Sequence, residues 1–118
     1  METKLKRYIY VTTQFEGIHR YPDAPEEVSF LRNYHRHLFK VRFQIEVFHN
    51  ERDIEFILFK RELDEYIRTY LQDKEMNLSC ESIAEWLLAK VRTKYIDRKV
   101  ICEVSEDGEN GAILESED

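Results

Sequence analysis

Apolar and polar side chains alternate with period two from His35 to Phe48. His35, His37, Phe39, Val41, Phe43, Ile45 and Val47 share one parity, and Arg36, Lys40, Arg42, Gln44 and Glu46 share the other. The run predicts a half-buried strand. Arg7 to Gln14 is rich in β-branched and aromatic residues and predicts an earlier strand running on to about His19. Between them, Tyr21 to Asn33 holds both prolines, Pro22 and Pro25, and the acids Asp23, Glu26 and Glu27. Proline fixes φ and donates no ladder hydrogen bond, so this segment is expected to be a loop, long enough to carry function.

The period then changes. Phe59, Leu63, Tyr66, Ile67, Tyr70 and Leu71 recur at intervals of three and four, opposite Lys60, Glu62, Asp64 and Arg68. An amphipathic helix is predicted over 57–71. Ser79 is a good N-cap, Glu81 suits the first turn, and Ile83, Ala84, Leu87, Leu88 and Val91 form the apolar stripe of a second helix reaching about Lys94. Lys99 to Val104 and Ala112 to Leu114 read as two closing strands joined through turn residues 106–111. The order β-β-α-α-β-β predicts an α+β domain, an antiparallel sheet of four strands with two helices on one face. No internal repeat is visible.

Composition narrows this picture. With 118 residues, 42% hydrophobic and 36% charged, 3 Gly and 2 Pro, the chain is expected to fold as one domain over 1–114, followed by an acidic tail at 115–118. No apolar stretch approaches the roughly 20 residues of a membrane span, and the first residues do not read as a signal peptide, so a cytoplasmic protein without membrane contact is expected. Seven of the 24 acids fall from Glu103 onward, so the net charge of -6 belongs to that end and residues 1–102 are nearly neutral. The absence of a basic stripe argues against nucleic acid as a partner. Cys80 and Cys102 are distant and lack a CxxC pattern, which suits two small buried thiols better than a disulfide.

The candidate chemistry lies in the histidines. His35 and His37 leave one face of a strand, and His19 lies near the end of the strand expected beside it. Three neutral imidazoles converging there suit Zn2+ and leave its fourth position open, the arrangement of a catalytic site. His49, at the far end of the second strand, reads as a surface turn residue.

Five segments carry a likeness to a known family: Phe15 to Arg20 (Phe-Glu-Gly-Ile-His-Arg), Tyr34 to Val41, Glu55-Phe56 followed by Lys60 and Leu63, Ser79 to Ala84, and Val100 to Glu103. In order and spacing, over about Tyr8 to Leu114, they resemble the 6-pyruvoyl-tetrahydropterin synthase and 6-carboxytetrahydropterin synthase family. The resemblance implies the tunnelling fold, with subunits joining sheets edge to edge into a barrel as a homo-oligomer, a hexamer by expectation, and sites between subunits. It implies His19, His35 and His37 as zinc ligands and Glu103 as the anchor of a pterin's amino-pyrimidinone edge, since a carboxylate can accept two N–H bonds side by side. It implies further ligand contacts from Ser79, Cys80 and Glu81 at the start of the second helix, although Ser79 reads equally well as a plain N-cap.

The sequence departs from the family in its proton-transfer groups. Leu31 stands where the family has its cysteine, Gln72-Asp73 stands where it has an Asp-His pair, and Arg36 replaces a glycine. Glu26, Glu27 and Asp73 are the candidate catalytic replacements. Three functions are therefore open. One is a zinc-dependent lyase acting on a dihydropterin triphosphate in pterin, deazapurine or queuosine synthesis. Another is a non-catalytic binder or sponge of a pterin-, purine- or nucleotide-like ligand. The third is a metal-stabilised structural oligomer. A chain this short has little interior for a pocket, which again places a ligand site between copies.

Overall fold

The computed structural model describes residues 4–117. Two long strands, β1 (Arg7–His19) and β2 (His35–Val47), are followed by helix α1 (Phe56–Tyr70), the short strand β3 (Glu75–Met76), helix α2 (Cys80–Arg92), and strands β4 (Val100–Glu106) and β5 (Asn110–Glu115). The architecture is α+β. The sheet has five strands in the order β3-β1-β2-β4-β5, and every pairing is antiparallel except β1 with β3.

The predicted four-stranded antiparallel sheet is therefore corrected to a five-stranded mixed one. Asp73 adopts φ 58, turning the chain, and its N–H donates to the Glu16 carbonyl at 2.8 Å. Ile18 N–H then donates to the Lys74 carbonyl, and Glu75 and Met76 run parallel to Ile18 and His19. Two residues are too few to show an alternation, so the sequence reads there as plain connection. The expected loop at 21–33 also contains a 3-10 helix, Glu26–Arg32, and Ala24, just before it, is buried, its carbonyl accepting from Arg32 Nε. The closing strands are longer than predicted, because Asp107 (φ 57) and Gly108 (φ 76) make a tight turn closed by Glu109 N–H to the Glu106 carbonyl. Positive φ at both central residues is the signature of the primed turns that match strand twist. The first two residues of the expected tail are held by the sheet. Glu115 ends β5, and Ser116 is buried, exchanging hydrogen bonds with the Val100 backbone. Asp118 lies outside the described residues.

Both helices cover one face of the sheet. Phe59, Leu63 and Ile67 of α1 and Ile83, Ala84, Leu87 and Val91 of α2 pack with Val11, Phe15, Phe39, Val41, Phe43, Ile45, Val100, Cys102 and Val104. Phe39, Phe43 and Ile45 are completely buried, and each such side chain stabilises the fold by about 1.5–3 kcal/mol. The caps agree with the periodicity: Ser79 accepts from Ser82 N–H at the start of α2, and Glu55 accepts from Ile57 N–H at the start of α1. The opposite face carries Tyr10, Thr12, Arg42, Glu103 and Ile113, with no element over it among the described residues. The radius of gyration is 16.1 Å, above the ~13.5 Å of a compact chain this long. The long β1–β2 ribbon accounts for the excess.

Two glycines stand at close approaches, and one of them is required there. A β-carbon at Gly17 would stand 3.0 Å from both the Phe39 ring and the end of Met76, and one at Gly111 would stand 2.0 Å from the Val104 carbonyl oxygen. The second contact is with backbone and cannot be relieved by a rotamer change. Gly111→Ala is expected to destabilise the protein by at least about 1–3 kcal/mol, read as a lower urea midpoint.

Candidate metal centre

Strand register assembles the site. His19 at the end of β1 pairs directly with His35 at the start of β2, and Gly17 pairs with His37. Glu106, at the end of β4, lies across from Phe39 on the same face. Because side chains two apart share a face, all four polar groups continue the rows that form the core below them. The imidazole centroids are 4.5 Å (His19–His35), 4.9 Å (His35–His37) and 5.4 Å (His19–His37) apart, all edge to face. Phe39 forms the floor, 5.1 Å from His19.

Each ring is oriented from outside by an oxygen on Nδ1. His19 Nδ1 lies 2.8 Å from the Leu78 carbonyl, His35 Nδ1 lies 2.9 Å from the Asn33 carbonyl, and His37 Nδ1 lies 2.8 Å from Asp107 Oδ2. An oxygen acceptor at Nδ1 assigns the proton there and leaves Nε2 with a free lone pair. Nε2 of His19 and of His35 is buried and has no hydrogen-bond partner among the described residues. Glu106 Oε2 lies 2.9 Å from His19 Nε2 and 3.8 Å from His37 Nε2. The shorter of these is an ion-pair distance without hydrogen-bond direction, since His19 Nε2 remains unpartnered by geometry. Inward-facing lone pairs beside a carboxylate are a poor arrangement for hydrogen bonding and a good one for a cation.

The donor set fits a divalent metal. One ligand atom from each of His19, His35, His37 and Glu106 lies within 4.8 Å of every other. A tetrahedral ion with bonds of about 2.0–2.1 Å holds its ligand atoms about 3.3 Å apart, a separation that falls between the two Glu106 contacts. Asp107 accepts His37 and, through Oδ1, the Leu38 N–H. The His37 bond and then the Leu38 bond hold its carboxyl below the usual carboxylate range.

A cleft of about 520 Å3 opens beside the centre, lined by His19, His35 and Glu106 and by Ser79, Cys80 and Glu81 at the start of α2. Leu31 also lines it. Burial, followed by the charges of Glu106 and Glu81, pushes the Cys80 thiol up to about 12.

Other expected site residues lie elsewhere. Glu103 has the opposite parity to Val100, Cys102, Val104 and Glu106, and so belongs to the uncovered face, where it pairs with Arg42 and borders a groove with Thr12 and Lys40. Glu106, expected in a turn, ends β4 and lines the cleft. Its signal was present: the apolar alternation of β4 continues into it two residues after Val104. Glu26 and Glu27 are exposed on the 3-10 helix outside the cleft, and Glu26 pairs with Arg32. Asp73 is exposed beyond α1 and pairs with Arg36, whose side chain also reaches Glu16, away from the histidines. His49 lies exposed at the far end of β2, 3.6 Å from Asp53.

No protein-family model matches the chain, and no curated protein matches it. What fold and site define together is an α+β protein with a group of three histidines and a glutamate able to hold a metal ion. No helix among the described residues is long and apolar enough to cross a membrane.

Two outcomes are expected. Asp107→Asn weakens Co2+ affinity by about 10–100-fold, measured by competition with a chelator, because His37 loses its outer carboxylate. Cys80 in the native protein is alkylated by iodoacetamide at pH 8 at least about a hundredfold more slowly than in the denatured chain, since the thiolate is the reactive form.

Proposed function

We propose that the protein binds Zn2+ through His19, His35 and His37 and holds a pterin- or purine-like heterocycle in the adjoining cleft without converting it. Neutral imidazoles with a carboxylate suit zinc among the divalent first-row ions. The likeness to the 6-pyruvoyl-tetrahydropterin synthase and 6-carboxytetrahydropterin synthase family supports the ligand class, as does a cleft of about 520 Å3, within the range usual for small-molecule sites. The observation that carries the non-catalytic reading is the position of the candidate replacements. Leu31 lines the cleft, whereas Glu26, Glu27 and Asp73 do not. General acid–base catalysis needs a titratable group within hydrogen-bond reach of the substrate.

The same likeness supports a tunnelling fold and a barrel of several copies, six by expectation. Two features suit it. Among the described residues, β3 covers only Ile18 and His19, leaving most of β1 without a strand on its outer side, and β5 has none on its outer side either. Open edges of this kind are places where another strand can add.

Glu81 favours a second reading. It is the acid besides Glu106 that lines the cleft, and as a base it would serve a zinc-dependent lyase acting on a dihydropterin triphosphate. Incubation of the zinc-loaded protein with dihydroneopterin triphosphate separates the two. The binder reading expects the compound back unchanged after denaturation, with no triphosphate released and binding lost on metal removal. Steady release of triphosphate that Glu81→Gln abolishes would establish the lyase instead.

A further inference from the structure

We propose that Glu106 is the fourth ligand of the metal centre, so that the chain's own carboxylate closes the site and an incoming ligand must displace it. The inference rests on the metal-binding reading above and deepens it. Three histidines alone would leave a fourth position to water or substrate. Here a carboxylate stands on that side of the rings. Glu106 Oε2 sits 2.9 Å from His19 Nε2 and 3.8 Å from His37 Nε2, within the one group of four side chains whose ligand atoms all lie within 4.8 Å of one another among the described residues.

The placement is built into the hairpin. Glu106 ends β4 with its side chain a quarter exposed, so it sits at the boundary between the buried ring edges and the cleft. The next residue, Asp107, holds His37 from the other side at Nδ1 and is tied to the Leu38 N–H. Two consecutive acids thus flank one imidazole, Asp107 bonded to its Nδ1 and Glu106 3.8 Å from its Nε2. Glu106 can swing toward the cleft while Asp107 keeps the hairpin docked. Displacement leaves a free carboxylate facing the cleft beside Cys80 and Asn110, able to accept N–H groups of whatever displaced it.

Azide, a small anion that fills open positions on cobalt, tests the closure. The Co2+-loaded protein is titrated with azide and its visible spectrum followed. If Glu106 holds the position nine-tenths of the time or more, azide binds the wild type at least about tenfold more weakly than the Glu106→Gln variant. Equal azide response in the two proteins overturns the proposal, and so does equal resistance, because removing Glu106 would then not have opened the site. Should Glu106→Gln fail to fold, wild-type protein decides alone. Magnetic resonance of its Co2+ in D2O detects no exchangeable metal-bound water if the carboxylate closes the site, and detects such water if the proposal is wrong. Failure of the wild type to bind Co2+ or Zn2+ at all would instead remove the metal-binding reading itself.

Discussion

The antiparallel register that sets His19 opposite His35 and Gly17 opposite His37 is the constraint on which the rest of this molecule depends. A strand has a side-chain period of two, so a slip of one residue would turn the whole apolar row of β2 outward together with both its histidines. The same register that buries Phe39, Val41, Phe43 and Ile45 therefore aims His35 and His37. Core and site are not separately specified. Gly17 shows how closely they are joined, because a β-carbon there would stand 3.0 Å from the Phe39 ring that packs edge to face against His19 and His37.

Holding three imidazoles together at the end of a core is costly unless their polar atoms are satisfied. The Nδ1 atoms are satisfied by three different parts of the chain: the β3–α2 connection through Leu78, the end of the long loop through Asn33, and the β4–β5 turn through Asp107. Each is a segment without long-range periodicity, and each is brought in by an element that packs for hydrophobic reasons. The Nε2 atoms of His19 and His35 are left without a partner among the described residues. Buried polar atoms without partners are rare in folded proteins, and the grouping of the three histidines with Glu106 is what gives the cluster a chemical meaning.

The two faces of the sheet divide the functions of the chain. One face receives both helices and continues into the histidine cluster, while the other stays uncovered and carries the cross-strand pairs of Arg42 with Thr12 and Glu103. Among the described residues nothing lies over that second face, which carries the exposed apolar side chains of Tyr10 and Ile113 beside its polar groups. The acids from Glu103 onward follow this division as well. Glu103 faces the uncovered side, Glu106 faces the histidines, Asp107 holds the His37 ring, and Glu115 pairs with Lys99.

The long alternation of β2, the three-and-four spacing of α1 and the Ser79 cap of α2 were legible because each repeats a local rule over many residues. The three histidines were legible for the same reason, two by parity and one by its place at the end of the neighbouring strand. Glu106 and Asp107 were not singled out, although Glu106 continues the apolar parity of β4 and Glu103 breaks it. What placed them is the pairing of β4 with β2, a contact between residues about seventy positions apart in the chain. The two-residue strand β3 and the Nδ1 acceptors Leu78 and Asn33 were likewise decided only in three dimensions. Local periodicity fixes which face a side chain takes, and it carries no information on which distant backbone oxygen or carboxylate the packed helices will bring to that face.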